Sequence, residues 1–151
     1  MSFRVLYIDD DAAIARLVQK HLGRMGHEVS HAETATIALE LMHIETFDAV
    51  VLDPPKFGRG PAGEVWHLFE HLPVMLDVCR ELLSPKAHGL VLTAYSIRAS
   101  FYAIHELMRE TMRGKGGLVE SGELVIREAG LDGKTPGRAL STSLFSRWVP
   151  K

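Results

Sequence analysis

Four aspartates stand directly after apolar runs, and they have the plainest capacity for chemistry in this sequence. Asp9, Asp10 and Asp11 end one such run, and Asp53 ends another. Short apolar runs of this kind are typical of strands covered on both faces of a sheet. Ligands of open α/β sheets bind beyond the carboxyl ends of the strands, so Asp53 is the first candidate for a functional residue.

Carboxylates that meet at one sheet edge repel one another unless a hard cation such as Mg²⁺ lies between them. Such a cation can then bridge to a phosphoryl group. The alternative is structural, because Asp11 can cap the helix that follows it while Asp9 and Asp10 are only solvated. Pro54 and Pro55 follow Asp53 and stiffen the backbone there.

The elements that must position these acids alternate between strands and helices. Apolar patterns predict strands at residues 4–8, 28–31, 48–52 and 89–93, and a closing antiparallel hairpin at 118–127 and 139–148. Helices are predicted after Asp11, after Thr34, at 64–71, from Pro73 onward and at 97–112. This order is typical of a three-layer α/β protein.

Composition excludes several classes of protein. The 151 residues are 46% hydrophobic and 24% charged, which is the balance of a soluble globular chain. No apolar run approaches the roughly 18 residues of a membrane span, and no secretion signal opens the sequence. We therefore expect a cytoplasmic protein with no membrane partner. The lone Cys79 excludes an internal disulfide and is expected to be a small buried hydrophobe.

Charge differs between the two parts of the chain. Residues 1–53 carry four basic and nine acidic side chains, whereas residues 54–151 carry thirteen basic and ten acidic ones. The basic excess of the second part is too small to indicate a nucleic-acid partner. His67 and His71 have a spacing that can bind a metal on a helix. With no third ligand, we interpret them as surface or capping residues.

Residues 1–53 resemble the first half of a response-regulator receiver domain, which has a flavodoxin-like fold. The matching stretches are VLYIDDD, RMGHEV, HAETATIALELM and FDAVVLD. The resemblance implies that Asp9 and Asp10 hold Mg²⁺ and that Asp53 accepts a phosphoryl group. We predict a weak Mg²⁺ site at Asp9, Asp10 and Asp53. The lysine that receivers carry after the fifth strand is missing from LVESGELVIRE.

Residues 48–151 resemble the second half of a class I S-adenosylmethionine-dependent methyltransferase of the ribosomal-RNA-modifying type, which has a Rossmann-like fold. The matching stretches are LDPPKFGRGPAGEVW, LLSPKAHGLVLTAYSIR, GELVIRE and STSLFSRW. The resemblance implies that Asp53, Pro54, Pro55 and Lys56 line the pocket near the methyl group and position the target base.

The methyltransferase pattern is broken at the turn after the first strand. These enzymes have a glycine-rich turn there, which lets the backbone approach the cofactor closely. This chain has Asp9, Asp10 and Asp11, whose carboxylates are expected to repel the carboxylate of the methionine moiety. We therefore predict that S-adenosylmethionine binding is lost. Glu33, near the end of the second strand, is a candidate for the acid that grips a ribose.

Together the resemblances imply one domain over 1–151, with a receiver-like fragment at 1–53 and a methyltransferase-like fragment at 54–151. They imply a doubly wound, mostly parallel six-stranded sheet of order 2-1-3-4-6-5, with only the last strand antiparallel. We interpret the chain as an engineered, recombinant chimera that needs no cofactor, has no partner and retains no native activity.

Two alternatives stay open. One is a receiver-like, Mg²⁺-dependent aspartyl phosphoacceptor, and the other is an S-adenosylmethionine-dependent RNA methyltransferase. The missing lysine argues against the first, and the acidic turn argues against the second. The oligomeric state cannot be predicted from the sequence.

Overall fold

The computed structural model describes residues 1–42, 44–60, 63–95, 97–130 and 135–151. Strands and helices alternate through most of these ranges, and two long strands close the chain. In chain order the elements are β1 (Arg4–Ile8), α1 (Ala12–Arg24), β2 (Glu28–Ala32), α2 (Ala35–Met42), β3 (Ala49–Leu52), β4 (Phe57–Arg59), β5 (Val65–His67), α3 (Leu68–Leu82), β6 (Gly89–Ala94), α4 (Phe101–Thr111), β7 (Leu118–Ala129) and β8 (Pro136–Val149).

Six strands form the main sheet, in the order β2-β1-β3-β6-β8-β7. The neighbours β2, β1, β3 and β6 pair in parallel, and β8 pairs antiparallel with both β6 and β7. The predicted order, with only the last strand antiparallel, is therefore confirmed. The β3–β6 ladder joins the two segments that resemble different proteins. The boundary between a receiver-like and a methyltransferase-like fragment at residue 53 stays a prediction.

Local signals explain where the first helix begins and ends. The Asp11 carboxylate accepts hydrogen bonds from the backbone N–H groups of Ala13 and Ile14, at 2.8 and 3.1 Å, which confirms the predicted cap. Beyond the helix, Gly26 has a φ of +87°, a backbone conformation that glycine adopts without steric cost. The chain can therefore turn directly from α1 into β2.

The core lies between the sheet and its helices. Leu6, Leu52 and Leu90 are fully buried on neighbouring strands, and Leu76 and Met108 are fully buried on α3 and α4. Cys79 is also fully buried on α3, as expected, and burial raises the pKa of its thiol to about 12. The thiol is therefore a packing group rather than a nucleophile at neutral pH.

The structure corrects the prediction of a short helix at residues 64–71. Val65–His67 is instead a strand, β5, paired antiparallel with β4 in a separate two-stranded ribbon. Helix α3 is continuous through Pro73, the residue predicted to lie in its first turn. Leu72 and Met75 are buried on either side of this proline, so packing against the core outweighs the one backbone hydrogen bond that proline removes.

The closing hairpin is longer than predicted. Only residues 144–148 of β8 pair with β6, whereas pairing between β7 and β8 runs from Leu118 to Ala129. The distal part of the hairpin therefore extends beyond the rest of the sheet. Of the predicted turn at 129–138, residues 131–134 lie outside the described residues. Among the helices described, none is long and apolar enough to cross a membrane.

Candidate functional site

A crevice of about 640 Å³ opens at the carboxyl ends of β1, β2 and β3. Its volume lies within the range of small-molecule sites, and its position is the one that open α/β sheets use for ligands. One wall follows β1 and β2, and the other is the acid-Pro-Pro turn with the β4–β5 ribbon. Its lining residues include Ile8, Asp9, Asp10, Glu33, Thr34, Ala35, Ile37, Leu52, Pro54, Pro55, Gly58, Arg59 and Trp66.

Asp9 is buried beside the crevice, and both oxygens of its carboxylate accept hydrogen bonds. The Tyr7 hydroxyl donates to Asp9 Oδ2 at 2.5 Å, and the backbone N–H of Asp11 donates to Asp9 Oδ1 at 2.8 Å. The distance between His31 Nε2 and the backbone oxygen of Asp9 is 2.8 Å. Burial raises the pKa of Tyr7, and the hydrogen bond to Asp9 raises it further. Tyr7 therefore stays a neutral donor.

The three consecutive aspartates do not act as one cluster. Asp11 is occupied by its cap on α1, and Asp9 by Tyr7 and the Asp11 amide. Asp10 is exposed and lines the crevice. A single carboxylate of this turn is therefore free to meet a ligand, rather than the three that the sequence suggested.

Asp53 is half-buried at the end of β3, where its backbone N–H donates to the Ile8 oxygen at 2.9 Å. Burial raises the pKa of its carboxyl, and Asp9 and Asp10 raise it further because like charges oppose ionisation. The neighbouring Thr93 hydroxyl offsets part of this rise. Among the described residues, Thr93 Oγ1 has no partner at good hydrogen-bond geometry, so its contact with Asp53 is weak.

A metal centre is not formed by this arrangement. Within the described ranges, no group of three His, Cys, Asp or Glu side chains is placed to hold a metal ion. Asp9 and Asp10 are close enough to Asp53 to raise the pKa of its carboxyl, but the Asp9 carboxylate already accepts two hydrogen bonds. Weak Mg²⁺ binding therefore remains a prediction.

The acid-Pro-Pro turn is fixed by the ribbon beside it. The indole Nε1 of Trp66 donates to the Pro55 oxygen at 2.7 Å, and the Leu68 N–H donates to the Lys56 oxygen at 3.1 Å. Pro54 is buried and lines the crevice, whereas Lys56 is exposed and does not line it. Of the four predicted pocket residues, Pro54 and Pro55 therefore line the crevice, whereas Asp53 and Lys56 adjoin these prolines without lining it.

Sequence reasoning missed Trp66 as a residue of the site. The signal was the short alternation of Val65, Trp66 and His67, which was interpreted as helical. The Trp66 ring stacks on His71, with 5.6 Å between ring centroids. His71 Nδ1 lies 2.9 Å from both the backbone nitrogen and the backbone oxygen of His67 at the start of α3. This contact agrees with the interpretation of the two histidines as surface or capping residues.

The chain resembles two groups of known proteins. No family profile matches it. Response regulator MprA of Mycobacterium ulcerans is 29% identical over 111 residues, which are 72% of this chain and 48% of that protein. The chain thus spans about half the length of the curated relatives it matches.

Among solved structures, a SAM-dependent methyltransferase from Agrobacterium tumefaciens is 51% identical with a TM-score of 0.83. That match covers all of this chain and 57% of the other. A putative methyltransferase complexed with SAH has a TM-score of 0.52 at 13% identity over 97% of this chain and 45% of its own, and this likeness shows the fold alone.

These similarities correct two predictions. Likeness at 51% identity over the whole chain to a SAM-dependent methyltransferase contradicts the interpretation as an engineered chimera without native activity. The same likeness contradicts the predicted loss of S-adenosylmethionine binding. The prediction treats the three carboxylates as equally open to a ligand, whereas Asp9 and Asp11 accept hydrogen bonds from within the protein and Asp10 is the exposed acid.

Proposed function

We propose that this chain is an S-adenosylmethionine-dependent methyltransferase domain, with RNA as the substrate class. The observation that carries the proposal is the crevice at the carboxyl ends of β1, β2 and β3. It has Glu33 on one wall and the turn of Pro54 and Pro55 on the other. The 51% identity to a SAM-dependent methyltransferase supports the same activity.

The residues present fit this cofactor. Glu33 is exposed and lines the crevice, where its carboxylate can accept hydrogen bonds from the two ribose hydroxyls. Ala35 and Ile37 offer an apolar surface for the adenine ring. The cofactor carries a positive sulfonium and a positive ammonium group, so the carboxylate of Asp10 attracts as well as repels. The acidic turn is therefore compatible with binding.

The cofactor supplies an electrophilic methyl group when it is bound. The chain's own residues then hold the target and exclude water. The rigid turn of Pro54 and Pro55, fixed by the Trp66 indole, forms one wall for a planar target. Asp53 stands directly before that turn, and its raised pKa suits it to accept a proton from the atom that is methylated.

Calorimetric titration with S-adenosylhomocysteine tests the cofactor site. We expect a dissociation constant below about 100 μM, equivalent to roughly 5.5 kcal/mol. Glu33→Gln should weaken binding about tenfold, because the amide is a poorer acceptor for the ribose hydroxyls. Glu40→Gln is the matched control, since this exposed glutamate lies on α2 and does not line the crevice. Absence of binding at millimolar ligand would refute the proposal.

The substrate class needs a separate measurement. The purified chain and radiolabelled S-adenosylmethionine should label total RNA rather than total protein, and Asp53→Ala should abolish the labelling. Labelling of protein with no labelling of RNA would retain the methyltransferase activity and reject RNA as its substrate. The described residues of β7 and β8 do not line the crevice.

A further inference from the structure

The outermost strand of the sheet has a free edge. Strand β7 pairs only with β8 in the described sheet, and its residues 123–129 are all exposed. Leu124, Val125 and Ile126 form a consecutive apolar run there, exposed by 43, 46 and 65%. Long apolar edges are usually blunted by proline, lysine or bulges. Strand β7 contains neither proline nor lysine.

The irregularities of the hairpin do not distort this edge. Leu124 pairs with Ser143 and Val125 pairs with Ser141, so the extra residue, Thr142, belongs to β8. The second irregularity is of the same kind. Arg127 pairs with Ala139 and Ala129 pairs with Pro136, so the extra residue again belongs to β8. Strand β7 therefore keeps the regular spacing that another strand can pair with.

One hydrogen bond tells which backbone groups face outward. The Thr142 hydroxyl donates to the Leu124 oxygen at 3.0 Å, so the Leu124 carbonyl faces β8. Backbone groups alternate between the two sides of a strand. The N–H and C=O groups of Glu123, Val125 and Arg127 therefore face the free edge.

The sequence of this edge is complementary to itself. When two copies of β7 run antiparallel about a two-fold axis at Val125, each Val125 faces its equivalent. Leu124 then faces Ile126 of the other copy, and Glu123 faces Arg127. Neither Glu123 nor Arg127 forms an ion pair within the described part of the chain. Both therefore remain available for opposite charges across such a ladder.

We propose that this protein forms a two-fold symmetric homodimer in which β7 of each copy pairs antiparallel about Val125. The three residues whose backbone groups face outward are the three that form hydrogen-bonded pairs in this register: Glu123 with Arg127, Val125 with Val125, and Arg127 with Glu123. The two six-stranded sheets then continue as one sheet of twelve strands. An isologous contact of this kind closes on itself, so assembly stops at the dimer.

Charge exchange tests this register. Sedimentation velocity from about 1 to 200 μM should give twice the chain mass of 16.8 kDa at high concentration. E123R turns both Glu123–Arg127 pairs of the dimer into pairs of cations. R127E turns both into pairs of anions. Each variant should raise the dimer dissociation constant at least about tenfold. The double variant E123R/R127E should return it to within about threefold of wild type.

Two further variants separate dimerisation from folding. E81R makes the same change of charge on the exposed side of α3 and should leave the dimer unchanged. V125P removes an N–H that faces the free edge and has no partner among the described residues, so it should give a monomer with native circular dichroism. A wild-type monomer throughout the range would overturn the proposal, as would a dimer that E123R leaves intact, since another surface would then hold it.

Discussion

The Tyr7 hydroxyl donates to the buried carboxylate of Asp9, a residue two positions farther along the same chain segment. This bond and the one from the Asp11 amide occupy both oxygens of Asp9, so Asp10 is the exposed acid of this turn at the crevice. A sequence with three adjacent aspartates therefore presents one free carboxylate at the site. The relationship makes the acidic turn compatible with a ligand that has a carboxylate of its own.

Removing the tyrosine hydroxyl tests this relationship. Tyr7→Phe leaves the buried Asp9 carboxylate with one donor fewer, so we expect the free energy of unfolding to fall by about 1–3 kcal/mol. Urea denaturation followed by circular dichroism measures the change. Tyr95→Phe is the control, because Tyr95 is 64% exposed and should change stability by less than about 0.5 kcal/mol. Equal effects of the two substitutions would contradict the account of Asp9.

Asp53 should make stability depend on pH. Its pKa is raised in the folded state, mainly by burial, so the folded chain holds the proton more tightly than the unfolded chain. Its contribution to stability is therefore full below the unfolded value of 3.8 and is lost as pH rises through the higher folded value. Asp53→Asn, which stays neutral, should have a higher melting temperature than wild type at pH 7.

The advantage of Asp53→Asn should shrink as the pH falls toward 4, where the wild-type carboxyl takes up its proton. Melting curves of both proteins at several pH values measure this. Asp77→Asn, an exposed change on α3, is the control and should follow wild type throughout. A difference between Asp53→Asn and wild type that does not vary with pH would show that Asp53 is not the titrating group.

The predicted weak Mg²⁺ site can be tested by thermal stability. If the dissociation constant is about 1 mM, 10 mM Mg²⁺ should stabilise the chain by about 1.4 kcal/mol. This corresponds to a shift in melting temperature of about 2–5 °C. Asp10→Asn should remove the shift, because Asp10 is the exposed acid of the turn. No shift in wild type, or the same shift in Asp10→Asn, would remove the metal site.

Two tryptophans allow a matched test of the acid-Pro-Pro turn. Trp66 Nε1 donates to the Pro55 oxygen and Trp148 Nε1 donates to the Gly116 oxygen, both at 2.7 Å. Substitution of either by Phe removes one such bond, at a cost of about 1 kcal/mol of stability. Only Trp66→Phe should also weaken S-adenosylhomocysteine binding, by about threefold or more, measured by titration. Equal affinities of the two variants would contradict a role for Trp66 at the crevice.

The predictable features of this protein were those set by local pattern and strand topology. Apolar runs located all six strands of the main sheet, and the Asp11 cap followed from residue type alone. The β4–β5 ribbon was missed because Val65–His67 is too short for periodicity to separate strand from helix. The orientation of Asp9 was also missed, since it depends on a tyrosine hydroxyl whose direction no spacing reveals.

The insertion of β8 between β6 and β7 also constrains the order in which the sheet can assemble. In the described sheet, strand β7 reaches the other strands only through β8, which follows it in the chain. During synthesis, β7 therefore either stays unpaired until β8 docks on β6, or pairs with β8 first in a hairpin that docks on β6 as a unit. Hairpins form within about 1–10 μs, so the second route is the faster one. Strand β7, at the free edge of the sheet within one chain, is then anchored only when β8 docks.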